Sequence, residues 1–232
     1  MSLQGYAQPE LLAETEWLAE HMNDANLRIV DCEPPDAYNR AHIIGAVNVG
    51  HNTYLKGEDN VHVMSLELVR EFMGGLGISD DTLVVAYDGR NSLLAARFWW
   101  VLNYYGHINV KVLNGGWRKW LSEGRPVTDR SSSVPRTSFR PRVDESLMVK
   151  SEGVKSAIRK VGTVIWDVRS LSEYTGKNTR GNKYSGYIPS CSYLEWTSVM
   201  DTEGLGTFKP ASEILEMLSV IGVTPDKQVY TY

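Results

Sequence analysis

The chain is short of the residues that would mark several function classes. Its only two cysteines among 232 residues, Cys32 and Cys191, are too few for a disulfide framework. Neither sits in a CxxC or Cys/His pattern of metal-ligand spacing, so both read as buried or semi-buried thiols and no metal is expected. Basic charge is not in excess: 24 Lys and Arg against 28 Asp and Glu, spread along the chain, leave a formal net charge of −4. There is no basic stripe to track a phosphate backbone, and nucleic acid is not an expected partner. Long apolar runs are absent too. The longest, Leu93 to Tyr105, is interrupted by Arg97 and falls short of the ~20 residues that cross a bilayer, so no membrane is expected. No basic start leads into an apolar signal-peptide core. The expected compartment is the cytoplasm, with periplasmic export left open because Met1-Ser2-Leu3 is compatible with a replaced native N-terminus.

What is present is apolar content sufficient for ordinary cores, 42% hydrophobic and 10% aromatic, and an internal repeat. "AHIIGAVNV" (Ala41 to Val49) matches "GYIPSCSYL" (Gly186 to Leu194), and this step of 145 residues holds through "LVREFMGGLGISDDTLVVAY" against "ILEMLSVIGVTPDKQVYTY". Upstream, "RIVD" (Arg28 to Asp31) matches "VIWD" (Val164 to Asp167) at a step of 136, so the second copy carries nine extra residues, placed in "TGKNTRGNKYSG". In both copies apolar residues at helical spacing are followed by a glycine (Gly77, Gly222) and then a β-rich run. That order predicts a helix, a left-handed C-cap and a strand.

The first copy reads as β-runs at 27–31, 46–49, 83–87 and 110–113, alternating with helical segments at 16–22, 65–75, 92–105 and 116–123. Such alternation predicts an α/β fold, each domain a mostly parallel sheet flanked by helices. "VTDRSSSVPRTSFRPRVDES", rich in Ser, Pro and Arg, has the composition of a linker. The expected domains are 1–140, with the linker, and 141–232. At the step of 145, Tyr232 aligns with Tyr87, and the first copy runs on for about 40 residues beyond that point. The second domain is therefore expected to be incomplete at its C-terminus. The turn after such a strand, opening a helix, is where backbone N–H groups converge on an anion.

Taken in order, "EWLAEHM…RIVD", "AHIIGAVNV", "GISDDTLVVAYDG", "VLNGGWRKWL", "IWDVRSLSEYTG", "GYIPSC" and "GVTPDKQVYTY" resemble the tandem-rhodanese sulfurtransferases, acting on thiosulfate or 3-mercaptopyruvate. The resemblance covers essentially the whole chain. It implies two rhodanese-like domains, the first catalytically silent with Asp88 in its active loop. In the second it implies a nucleophilic cysteine immediately after Tyr232, so that no catalytic residue lies within the 232 and the chain as given is inactive. It further implies that Arg169, in "DVRS", binds a small anionic sulfur donor, that a persulfide hands sulfur to cyanide or another thiophilic acceptor, and that no cofactor is needed. Cys191 aligns with Ala46 and does not stand in for the nucleophile.

One contrast can be read without the family. Arg169 aligns with Glu33, so the first copy puts acids where an anionic donor would bind and the second puts an arginine. Thr175 stands where mercaptopyruvate enzymes typically carry a second arginine, which favours thiosulfate, with Arg180 in the extra loop able to reach in. "AHIIG" and "GYIPS" depart from the family's Gly-His-Ile-Pro-Gly. Asp31 and Asp167 read as turn-pinning residues, His42 as a packer, and Phe98, Trp99, Trp100, Tyr104 and Tyr105 as packing aromatics. Two alternatives stay open: a non-catalytic rhodanese-like binding or carrier module, and a 3-mercaptopyruvate sulfurtransferase. A fold-related phosphatase would need a longer cysteine loop closed by an arginine.

Overall fold

A computed structural model describes Leu3 and residues 5–232. The chain divides into two compact units. The first holds Ala7–Glu145 and Thr202–Phe208; the second holds Ser146–Asp201 and Lys209–Tyr232, with the described residues up to Tyr6.

The first unit runs, in chain order, through β1 (Leu12–Ala13), α1 (Thr15–His21), β2 (Leu27–Asp31), α2 (Pro35–Arg40), β3 (His42–Ile43), β4 (Val47–Asn48), α3 (Leu66–Gly75), β5 (Leu83–Tyr87), α4 (Leu93–Tyr104), β6 (Val110–Leu113), α5 (Gly116–Ser122) and β7 (Val127–Thr128). Five strands form one parallel sheet in the order β1-β6-β5-β2-β4, and β3 and β7 pair antiparallel beside it. The central strands are apolar on both faces, as a parallel sheet covered by helices requires. Their side chains divide with period two. Val30, Val84, Ala86 and Val112 pack with Val69, Met73, Phe98 and Leu102, while Ile29, Val85, Tyr87 and Leu113 pack with Leu18, Tyr38 and Trp120.

The second unit runs through α6 (Ser151–Ala157), β8 (Thr163–Asp167), α7 (Leu171–Tyr174), β9 (Ser192–Tyr193), α8 (Ala211–Val220) and β10 (Gln228–Thr231). Its three strands are parallel in the order β10-β8-β9. The α/β class with parallel sheets flanked by helices is thus what the strand and helix alternation predicted.

The repeat is visible bond by bond. After α3, Ile78 N–H donates to Met73 O (3.0 Å) and Gly77 N–H to Gly74 O (3.1 Å); after α8, Val223 donates to Leu218 (2.9 Å) and Gly222 to Ser219 (3.0 Å). Both are Schellman closures with the glycine left-handed, φ +70° at Gly77 and +79° at Gly222, a conformation that residues with a Cβ resist.

The segment whose composition reads as a linker is not free-running. Phe139 is buried in the first unit's core with Val134 packed against it, Thr137 N–H donates to Gly74 O (3.0 Å) and Thr137 Oγ1 to Ile78 O (2.7 Å). Two well-placed apolar side chains in a polar stretch carry no periodicity, which is why composition misses them.

Candidate active site

The site is built at the C-terminal ends of the strands, first in the copy where the whole loop is on view. β2 ends on Asp31, buried at 3% exposure, whose carboxylate accepts from Glu33 N–H (2.8 Å) and from the Tyr87 hydroxyl (2.6 Å). The same hydroxyl accepts from Ile43 N–H (3.1 Å). Tyr87, the last residue of β5, therefore ties the turn after β3 to the end of β2.

Directly after Tyr87 the chain turns through Asp88 into α4. The Asp88 carboxylate, 2% exposed, accepts from four backbone amides, those of Arg90 (2.7 Å), Ser92 (3.0 Å), Leu94 (2.7 Å) and Ala95 (2.8 Å). Asn91 and Ser92 adopt positive φ, +56° and +65°, and this costly backbone aims the amides inward. Burial pushes the Asp88 carboxyl up while the amides pull it back down. The loop is an anion cradle, occupied by the chain's own carboxylate.

Glu33 borders that cradle. Its Oε1 accepts from Gly89 N–H (2.9 Å) and its Oε2 from Arg90 Nε (3.1 Å). A cavity of about 430 Å³ opens here, lined by Asp31, Glu33, Tyr87, Arg90 and Trp117 among others. Carboxylates crowd it. Burial pushes Asp31 up to about 6, against the hydrogen bonds from Tyr87 and Glu33 N–H. Burial, then the Asp88, Asp31 and Glu33 charges, push the Cys32 thiol well above the ordinary range. A thiol held protonated is no nucleophile.

The second copy repeats the frame and reverses the charge. Ile188 N–H donates to the Tyr232 hydroxyl (2.9 Å), as Ile43 does to Tyr87, and Val168 N–H donates to Tyr232 O (3.1 Å) as Cys32 does to Tyr87 O (2.9 Å). Asp167, fully buried, accepts from Arg169 N–H (3.0 Å), as Asp31 does from Glu33. It also receives the Arg169 guanidinium through two bonds, Nε to Oδ1 (3.0 Å) and Nη2 to Oδ2 (2.6 Å). Nη2 donates as well to Gly186 O (2.8 Å), and the guanidinium lies over the Tyr232 ring, 4.9 Å from its centroid. Burial alone would raise the Asp167 carboxyl, but the Arg169 hydrogen bonds and charge hold it below the usual range. The pairing with Asp167 pushes Arg169 up in turn.

The structure thus gathers Arg169, Asp167, Tyr232 and Gly186 in one place. Cys191 lies beside them, half-buried, with the Tyr232 hydroxyl 3.5 Å from its Sγ. Arg180 is paired with Glu173 (3.0 Å), the residue that also closes a capping box with Ser170 on α7. His42 stacks on Tyr38 and its Nδ1 lies 2.7 Å from Tyr38 O; its counterpart Tyr187 stacks on Tyr174. Sequence reasoning missed the tyrosine lock and the reach of Glu33 into the loop. The alignment of Tyr87 with Tyr232, both at strand ends, was the available signal for the first. Among the described residues no group of three or more His, Cys, Asp or Glu side chains is placed to hold a metal ion, and no helix is long and apolar enough to cross a membrane.

Residues 14–123 match the model of the rhodanese-like domain. The sulfur carrier protein TtuD of Thermus thermophilus is 34% identical over an alignment covering 98% of this chain and 84% of that protein. The protein of Mycobacterium tuberculosis named "Putative thiosulfate sulfurtransferase SseA" is 31% identical, with 100% of this chain and 79% of the relative covered. Among solved structures, SseA of Escherichia coli, described with the rhodanese fold of 3-mercaptopyruvate sulfotransferases, superimposes with a TM-score of 0.83 over 95% of this chain and 87% of its own, at 23% identity. That last likeness speaks for the fold.

Proposed function

The chain belongs to the rhodanese family of sulfurtransferases, and from that premise we propose that it moves sulfane sulfur from a small anionic donor, thiosulfate rather than 3-mercaptopyruvate, to cyanide or another thiophilic acceptor. In this reading the second unit carries the reaction and the first is catalytically silent. A cysteine directly after Tyr232, at the place of Asp88, attacks the sulfane sulfur as a thiolate. The S–S bond of thiosulfate breaks, sulfite leaves with the bonding pair, and a persulfide remains. Cyanide then attacks the outer sulfur, releasing thiocyanate and the thiolate.

The observation that carries the reading is the charge reversal on a shared frame. Glu33 reaches the loop amide of Gly89, so the side chain at that position of the repeat borders the cradle, and in the second copy it is Arg169. A guanidinium there attracts an anionic donor and favours thiolate and persulfide, where a carboxylate repels both. The Arg180–Glu173 pair leaves Arg169 as the one guanidinium offered to the donor. This supports thiosulfate over a donor that also needs its carboxylate held. A carrier role, suggested by the name of the Thermus thermophilus relative, would use the same persulfide and differ in handing the sulfur to a protein. The two unpaired thiols suit the cytoplasm.

The test is direct. The 232-residue polypeptide, incubated with thiosulfate and cyanide, is expected to form no thiocyanate, and the residue encoded after Tyr232 is expected to be cysteine. Thiocyanate formation that Cys191→Ser abolishes, or any other residue encoded there, overturns the reading.

A further inference from the structure

At the end of the first unit's sheet opposite the candidate active site, the turn from α4 into β6 faces the chain at Phe139–Arg142. The two are pinned together. Arg142 N–H donates to Tyr105 O (2.9 Å), and Gly106 is left-handed (φ +79°) with no room for a side chain, since a Cβ there would stand 2.8 Å from Arg142 O. Arg140 N–H donates to Asp80 Oδ1 (2.9 Å) and its Nε to Asp80 Oδ2 (2.5 Å). Between them lies a cavity of about 170 Å³, lined by Asp80, Tyr105, His107, Phe139, Arg140 and Arg142 together with Gly106.

Two features of this cavity are unexplained by the fold. His107 is buried at 4% exposure, yet its Nε2 has no hydrogen-bond partner among the described residues. Buried polar atoms are ordinarily paired, and an orphan points to a group or water that completes it. The second feature is charge. Asp80 answers one of the two guanidiniums, and Arg142 forms no ion pair among the described residues, so the lining carries one positive charge in excess. The volume is several times the ~30 Å³ that one water occupies in the liquid.

We propose that this cavity is a binding site for a small tetrahedral oxyanion of the sulfate or phosphate class, held by Arg142 and Arg140 and completed by the imidazole N–H of His107. Two guanidinium forks and one ring donor supply more hydrogen bonds than a carboxylate's two oxygens can order, whereas four tetrahedral oxygens can take them. Burial pushes the His107 pKa down; the ring is neutral at pH 7 and donates through one nitrogen. The surplus positive charge comes from the arginines, while Asp80 on the far wall selects against larger polyanions. This site stands apart from the sulfur-transfer reading, and its failure would leave that reading intact.

The experiment is a titration of the full chain at neutral pH with sodium sulfate and, separately, sodium phosphate. Ionic strength is held constant with chloride while the histidine ring resonances are followed by NMR. The expected result is a saturable movement of the His107 signal, identified by its disappearance in His107→Gln, at millimolar anion or below. In Arg142→Gln, with the rest of the spectrum unchanged, affinity should fall about tenfold or more, the loss of one charge-assisted contact. Calorimetry of the unsubstituted chain with the same salts supplies a measurement that needs no variant. A linear, unsaturating drift in both experiments, or saturation that Arg142→Gln leaves unaltered, overturns the site.

Discussion

The sharpest consequence of the two frames concerns Asp167 once its arginine is gone. Asp31 and Asp167 are equivalent and both essentially unexposed, 3% and 0%. Each accepts a backbone N–H two residues on and interacts with a strand-end tyrosine hydroxyl. What separates them is the side chain at 33 or 169. Arg169→Ala leaves Asp167 with the inventory of Asp31, whose carboxyl sits at about 6 against an ordinary 3.8. Asp167 should therefore climb from below the usual range towards about 6, a change of at least two units, or about 3 kcal/mol at 1.36 kcal/mol per unit. The sign follows from linkage. In the parent, a lowered carboxyl contributes stability that is present above the unfolded value near 3.8 and lost on acidification. In the variant, a raised carboxyl contributes stability below 3.8 that is lost as pH rises through about 6. The stability gap between the two proteins should thus widen by about 3 kcal/mol between pH 4 and pH 7. Carboxyl-carbon NMR of labelled aspartate gives the titration directly, and hydrogen exchange of the β8 and β10 amides gives the local stability. Asp167 still titrating below 4 in Arg169→Ala, or a gap flat in pH, refutes the claim that this one guanidinium sets the polarity of the site. Arg169→Lys keeps the charge but loses the fork, and should fall between the two.

Two further outcomes follow from the first unit. Asp88→Ala strands four inward-facing amides, and at about 1–3 kcal/mol for each buried group left unpaired, offset by loop relaxation, it should cost about 3–5 kcal/mol in denaturant unfolding; a loss under about 1 kcal/mol would show that the loop keeps its shape without the carboxylate. Tyr87→Phe removes the donor to Asp31 and the acceptor for Ile43 N–H, so Asp31 should titrate above its present value of about 6, and an unmoved carboxyl in the NMR titration would deny the tyrosine lock.

Much of the fold was legible because buried parallel strands are written as unbroken apolar runs. The sequence reading places strands at 27–31, 83–87 and 110–113, and the structure has strands with those bounds. The long helices differ by a residue at the ends, where Ser65 caps α3 with its side chain and Ser92 turns left-handed before α4. α2 was not legible from periodicity, since "PDAYNR" buries only Tyr38; Pro35 at its first turn was the better sign. β3 and β7 are two residues each, too short for any alternating pattern. At the site, the reversal from Glu33 to Arg169 could be read by laying one copy on the other. The four amides around Asp88 could not, because backbone donors leave no trace in side-chain identity.

The two copies keep one backbone and part company in electrostatics, which accounts physically for a silent half. In the first, Asp31, Glu33 and Asp88 crowd one strand end, Asp31 is lifted to about 6, and the adjoining Cys32 thiol is pushed far from ionisation. A thiolate or persulfide in place of Asp88 would meet Glu33 across the Gly89 amide, so like charge would work against the ionised form the chemistry needs. In the second, Asp167 is spent on Arg169 and held ionised by it. The buried carboxylate that is a liability in the first copy becomes, in the second, the anchor that fixes a guanidinium by two bonds. The exchange of one residue on a conserved turn therefore changes what the same loop can hold: the first copy stabilises its own carboxylate with four amides, and the second presents a fixed cation to an anion that comes from outside.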